Sequence, residues 1–301
     1  MARVRAQKTA CTSNLRELGV ATRLYVNEHG WLQPAQVQLA KLGAPHDSIL
    51  VDDLALADMN RYKLVVFLNC FHLNDAQRQL IRRKVLNRNR AVLWCYAPGL
   101  FNGATASVEA MRYLTGLRLV RAGKPDRVRA RIALNEAGAQ LYSQTQARPV
   151  GVAEAAAGNS DTAALPAIIG HEHVWAQLIS VEDPQAIVLG HLEGRSDVAL
   201  AMKHLKHWTS VSTLNPVLPA TFLRGLARQA GVHLYNNRDD TLDASRSYLS
   251  VNADGSGERT LRFPKPTYLF DVFSGGHVAR RVTSFVHAFQ DKKTLLIRYQ
   301  T

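Results

Sequence analysis

Apolar positions recur at spacings of three and four over residues 4–28, at Val4, Cys11, Leu15, Leu18, Ala21, Leu24 and Tyr25. That period predicts an amphipathic helix, and His29-Gly30 supplies its stop. A second, shorter helix is expected over 35–42, broken by Gly43-Ala44-Pro45. The pattern then changes to short apolar runs alternating with helical stretches. Ser48–Val51 reads as a short strand, and Lys63–Asn69 as a strand buried on both faces. Asn74 or Asp75 can cap a helix over Ala76–Asn87, and Arg90–Tyr96 reads as the next buried strand, closed by Ala97-Pro98-Gly99. A helix over 105–115 stops at Gly116.

The middle is less regular. Val128–Leu134 is a strand candidate, and residues 135–165, rich in Ala, Gly, Gln and Ser, read as an exposed insertion. Ala186–Gly190 and Val198–Met202 are further strands, Pro219 opens a helix through Gln229, and Gly231–Tyr235 reads as a last parallel strand. From about residue 241 the helical period disappears. Tyr248–Val251, Arg259–Phe263, Tyr268–Val272 and Thr294–Arg298 are short strands separated by turns such as Asp254-Gly255 and Ser274-Gly275-Gly276, which predicts an antiparallel β module.

Strands alternating with helices across short links predict an α/β fold: a flavodoxin-like, open parallel sheet with helices on both faces, followed by the small antiparallel β module. Ligands in such sheets bind beyond the carboxyl ends of the strands. The expected division is an N-terminal arm over 1–34, an α/β domain over 35–240 and the β module over 241–301.

Composition narrows the function classes. In 301 residues, 47% are hydrophobic and 20% charged, enough to build a core. No apolar run is long enough to span a bilayer, and no signal peptide is visible, which leaves the compartment undetermined. Three cysteines (Cys11, Cys70, Cys95) exclude a fully paired disulfide scaffold and a Cys-based zinc site. Lys and Arg number 37 against 24 Asp and Glu, a net charge of +13. The basic stretches at Arg82-Arg83-Lys84 and Arg118–Arg131 carry no interleaved aromatics and no helix-turn-helix or zinc-finger spacing, so nucleic acid is not the expected partner.

Several segments occur in an order that carries a resemblance. Leu42-Gly43-Ala44-Pro45-His46-Asp47, Leu50-Val51-Asp52-Asp53-Leu54, Tyr62–Asn69, Val92–Gly99 and Leu114-Thr115-Gly116 are followed by Leu218-Pro219-Ala220, Ala230–Tyr235 and Asp239-Asp240. A closing pattern runs through Gly257, Leu261–Pro264 and Asp271–Gly275. Together these resemble the region downstream of the barrel in β-galactosidase-like glycoside hydrolases of family 42 type. The resemblance covers roughly residues 36–300 and implies a class I glutamine-amidotransferase-like α/β domain, often called the trimerisation domain. Such an enzyme carries its two catalytic glutamates on a (β/α)8 barrel, so no glycosidase residue carries over to this chain. Ala6–Gly19 with Tyr25 and Trp31–Pro34 is similar to the segment after the membrane helix of pseudopilin-like proteins, which implies a pilin-associated interaction role.

One arrangement fits nucleophilic catalysis. Cys95 ends a buried strand and His191-Leu192-Glu193 follows a later one, the chain order of a Cys–His–Glu amidotransferase-like hydrolase. The family's nucleophile turn reads Gly-x-Cys-x-Gly. Here Trp94 and Tyr96 flank the cysteine, and their bulk opposes a strained positive-φ turn, so Cys95 reads as a buried small hydrophobe. His171-Glu172-His173, His204/His207, Asp52-Asp53 and Asp239-Asp240 match no metal signature, and neither metal nor cofactor is expected. Trp94, Tyr96, Trp175 and Trp208 are candidates for stacking on sugar rings, with Trp94 read as core. The reading is a non-catalytic structural or oligomerisation region of a carbohydrate-active protein. Its expected partners are further copies of itself or a glycoside hydrolase barrel. Any carbohydrate contact is placed at the strand-end rim of His72, Tyr96 and Asn102.

Overall fold

The computed structural model describes residues 32–68, 70–122, 128–143, 168–172, 174–175, 178–290 and 293–301. The expected arm helix over 4–28, Cys11 and most of the 135–165 insertion lie outside the described residues.

Helix α1 spans Leu32–Ala40, so it crosses the expected boundary at residue 34. The strands of the first unit's main sheet and its ribbon are β1 (Leu64–Phe67), β2 (Arg90–Cys95), β3 (Leu119–Ala122), β4 (Ile132–Leu134), β5 (Ile168–Ile169), β6 (Leu178–Val181), β7 (Ile187–Leu192), β8 (Val198–His204) and β9 (Trp208–Thr213). Seven of them form one sheet in the order β1-β2-β9-β8-β7-β4-β5, and β6 and β3 form a separate antiparallel ribbon. Only β1, β2 and β9 run parallel; β8, β7, β4 and β5 pair antiparallel.

This corrects the expected flavodoxin-like parallel sheet. The fold is predominantly β, built on a mixed sheet and antiparallel sheets. The physical reason is the length of two connections. Parallel strands need a crossover of about a dozen residues or more. The links Glu193–Asp197 and Leu205–His207 are too short for one, and close as turns through Leu192 N–H to Asp197 O (2.8 Å) and Leu205 N–H to Trp208 O (2.9 Å). Two expected strands are also absent. Ser48–Val51 leads into a 3-10 turn at Asp52–Ala55, and Gly231–Tyr235 is irregular. The parallel part is instead completed by β9, which fills the sheet's centre.

Three further helices follow the sequence pattern, α2 (Asp75–Lys84), α3 (Val108–Thr115) and α5 (Ala220–Gln229), whereas α4 (Glu136–Ser143) forms where an exposed insertion was expected, because Leu141 is buried in the core. Asn74 caps α2 in a reciprocal box, accepting from Gln77 N–H at 2.8 Å while Gln77 Oε1 accepts from Asn74 N–H at 2.9 Å. One core contains Leu141, Phe222, Leu223 and Leu226 from α4 and α5 together with Leu93, Leu189, Leu200 and Val211 of the sheet. A second packs Ile81 of α2, Val85 just after it and Leu114 of α3 with Phe67 and Trp94.

The remaining strands are β10 (Thr241–Ala244), β11 (Tyr248–Asn252), β12 (Gly257–Asp271), β13 (His277–Phe289) and β14 (Thr294–Gln300). They form one antiparallel sheet in the order β10-β11-β14-β12-β13. β12 joins two expected strands into one, and β13 is an edge strand with Arg281 at φ +54. The inner face buries Leu242, Leu249, Val251, Leu261, Phe263, Leu269, Leu295 and Ile297.

The two units meet through the 231–240 segment. Tyr235 N–H donates to Gly43 O (2.8 Å) and Arg262 N–H to Tyr235 O (2.8 Å). At Gly43 (φ +81) a Cβ would lie 2.1 Å from Asn236 O, so only glycine fits. A buried ion pair, Asp240 Oδ2 with Arg259 Nε at 2.7 Å, closes the junction.

Candidate functional site

The parallel strands β1, β2 and β9 end along one edge, in register from Phe67–Trp94 to Cys95–Thr213. Beyond β1, the chain is held against the segment after β2 by backbone bonds. Gly99 N–H donates to Cys70 O (2.6 Å), Phe101 N–H to Phe71 O (2.8 Å) and Leu73 N–H to Phe101 O (3.0 Å). The His72 ring therefore stacks on Phe101 at 4.9 Å and 17°, and the Phe71 ring meets Tyr96 edge-on at 5.6 Å. Asn102 Nδ2 donates to Asp75 Oδ1 (3.2 Å). The three expected rim residues thus lie at this one end of the sheet, joined through Phe71, Phe101 and Asp75.

Tyr96 departs from expectation. Despite its bulk it takes φ +63, with its N–H donating to Thr213 O at 2.7 Å. A non-glycine residue held there costs roughly 1–3 kcal/mol, so the surrounding packing over-determines the turn. Burial pushes its phenol up to about 12.

Next to the rim, α2 and α3 enclose an open groove of about 380 Å³ lined by Asp75, Arg78, Gln79, Glu109, Ala110 and Tyr113. Arg78 is only 4% exposed and ties the groove to the rim, donating to Asp75 Oδ1 (3.0 Å), Gly99 O (2.9 Å) and Phe101 O (3.2 Å). The guanidinium of Arg82 lies 4.2 Å from the centre of the exposed Tyr113 ring, and Arg112 pairs with Glu109 at 3.5 Å. Carboxylates, an amide and a phenol can hydrogen-bond a hydroxyl-rich ligand. Sequence reasoning missed this groove. The available signal was the i, i+4 spacing of Asp75/Gln79 and Glu109/Tyr113, which puts each pair on one helix face.

The Cys95–His191–Glu193 set is not assembled. Cys95 is 1% exposed, and burial pushes its thiol well up, away from a reactive thiolate. Cys70 is half-buried, and desolvation of its thiol pushes it up to about 12. β2 and β7 are separated by β9 and β8, three strand spacings or about 14 Å. Glu193 pairs with Arg131 (3.4 Å).

Trp94 is core: it stacks on Phe67 at 4.6 Å and donates Nε1–H to Ser210 Oγ (3.1 Å), with Trp208 edge-on at 6.3 Å. The Trp175 side chain and His173 lie outside the described residues. Asp239 pairs with Arg224 (2.6 Å), Asp240 with Arg259, and His204 Nδ1 contacts Thr209 Oγ1 (3.1 Å). Among the described residues, no three His, Cys, Asp or Glu groups converge as metal ligands, and no helix is long and apolar enough to cross a membrane.

No protein-family profile and no curated protein matches the chain. Solved structures do. The β-galactosidase from Bacillus circulans sp. alkalophilus superposes over 91% of this chain and 37% of its own, with TM-score 0.56 and 14% identity. This fold is β-galactosidase-like. The cold-adapted β-galactosidase from Rahnella sp. R3 matches 86% of this chain and 35% of its own (TM-score 0.51, 11% identity). The enzyme from psychrophilic Marinomonas ef1 matches 89% and 33% (TM-score 0.50, 12% identity). The chain therefore spans about a third of the length of the enzymes it matches.

Proposed function

We propose that this chain is a non-catalytic structural and oligomerising region of a β-galactosidase-like carbohydrate-active protein. The observation that carries the reading is the correspondence of 91% of the chain with 37% of a β-galactosidase. The sheet supports it, because the described residues hold three parallel strands rather than the eight of a glycosidase barrel. So does the closed setting of Cys95, which removes the nucleophile from the hydrolase alternative. The proposed organisation is an arm over 1–34, a unit built on the mixed sheet over 35–240 and a β module over 241–301. Its partners are further copies of itself or a glycoside hydrolase barrel, and the rim of His72, Tyr96 and Asn102 with the α2–α3 groove is its carbohydrate-contacting edge.

Light scattering across a concentration series of the full chain tests the oligomerising role; the expected species is larger than a monomer. A β-galactoside assay on the same sample is expected to show no turnover. A strict monomer at high concentration overturns the reading, and so does turnover abolished by Cys95→Ser.

A further inference from the structure

The outer face of the C-terminal sheet carries chemistry that neither the rim nor the groove uses. Strand alternation turns Leu249, Val251, Leu269, Leu295 and Ile297 inward and their neighbours outward. The register then sets four outward side chains in one row across four strands: Tyr248 opposite Arg298, Arg298 opposite Phe270, and Phe270 opposite His277. The Arg298 guanidinium lies 4.8 Å from the Phe270 ring centre and the His277 ring 4.2 Å from it, so a guanidinium and an imidazole are held around one aromatic ring. Tyr268, two residues before Phe270, sits opposite Gln300 on the same face.

Tyr248 is 46% and Tyr268 42% exposed. Two strand spacings and a two-residue step put them about 12 Å apart, the span of two pyranose rings. Ser250, Asn252 and Gln300 add uncharged donors and acceptors beside them. Among the described residues, Arg298 has no carboxylate partner and neither tyrosine hydroxyl makes a hydrogen bond. An exposed face with spaced rings, hydroxyl-binding groups and an unneutralised cation, in a chain of net charge +13, fits a sugar chain bearing acid groups.

We propose that this face binds an acidic oligosaccharide, with Tyr248 and Tyr268 stacking on sugar rings and Arg298, assisted by His277, pairing with a carboxylate or sulfate. A single-stranded polynucleotide fits less well. Its backbone calls for cations repeated along the strand and for closely spaced stacking rings. This row offers one arginine and one histidine between tyrosines set far apart. The assignment does not depend on the accessory role proposed above.

The test titrates the full chain with four probes: an oligogalacturonide, a sulfated galactan oligosaccharide, a neutral galactan oligosaccharide and an oligothymidylate of matched charge. Binding is expected for the carboxylated or the sulfated sugar, and which one binds identifies the acid group. Tyr248→Ala with Tyr268→Ala, and separately Arg298→Gln, are each expected to weaken it about tenfold or more. All three side chains are exposed, and circular dichroism checks that the fold is kept. Failure of both acidic sugars to bind overturns the proposal. Equal affinity for the neutral sugar does so too, as does oligothymidylate binding at least as tight as that of the acidic sugars and lost with the tyrosine substitutions.

Discussion

Replacing Asp240 with asparagine probes the junction between the two units. Asp240 is 1% exposed and accepts from Arg259 Nε (2.7 Å), Asn236 Nδ2 (2.7 Å) and Asp254 N–H (2.9 Å). Burial alone would raise its pKa. The three donors and the charge of Arg259 outweigh that and hold the carboxyl below its ordinary value. In Asp240→Asn the buried guanidinium of Arg259 loses its counter-charge. Removing one partner of a buried pair costs about 3–5 kcal/mol, against about 0–1 kcal/mol for a surface pair. Urea unfolding followed by far-ultraviolet circular dichroism should show that loss. The Asp240→Asn, Arg259→Met double variant should recover much of it, because no unpaired charge is left buried. A loss under about 1 kcal/mol in the single variant, or no recovery in the double, refutes the reasoning. The same group sets a pH dependence. A depressed folded-state pKa stabilises above the unfolded value near 4 and is lost as pH falls through the folded value. Asp183 is also depressed: burial opposes the shift, and Lys203 (2.7 Å) with the Gln185 and Arg118 amides overcomes it. Stability is therefore expected to be level near neutrality and to fall below about pH 4.

Three other outcomes follow from named contacts. In the native chain, peptide-resolved iodoacetamide labelling at pH 8 should leave Cys95 unmodified until denaturant is added; native labelling at the rate of a free thiol contradicts its burial. Arg90→Met should lower stability by about 3 kcal/mol or more in urea titration, since the Arg90 guanidinium bridges the carbonyls of Met59, Tyr62, Lys84 and Val85, and an unchanged midpoint would rule that out. Gly43→Ala should cost more than about 2 kcal/mol or abolish soluble expression, because its Cβ would meet Asn236 O at 2.1 Å; wild-type melting would show that the two segments are free to part.

Elements with a strong local signal were legible in the sequence. The Asn74 cap, the α5 face of Phe222, Leu223 and Leu226, and the burial of Cys95 and Trp94 follow from residue type and spacing. Strand direction was not legible in the same way. Apolar runs at 187–192 and 198–204 look alike in parallel and antiparallel sheets, and the deciding fact is the five residues between them. β9 was missed because Trp208-Thr209-Ser210-Val211-Ser212-Thr213 reads as polar, although Ser210, Ser212 and Thr213 are buried at the sheet's centre. That His72, Tyr96 and Asn102 lie at one end of the sheet was legible from their places just after the apolar runs of β1 and β2. The groove beside it was not, because it depends on two helices, separated in sequence by β2 and the rim, packing side by side. The turn at Tyr96 runs against residue preference altogether, and only tertiary packing dictates it.

The edge strand β13 limits how copies of this chain can associate. A long strand with one open side is a template on which another molecule can extend the hydrogen-bonded ladder. Here Arg280 and Arg281 stand exposed on it, and the left-handed backbone at Arg281 interrupts its regular path. Two such borders laid side by side would bring arginine against arginine and meet a kink instead of a straight run of amides. Edge-to-edge pairing of copies into an open-ended stack along this border is thereby disfavoured.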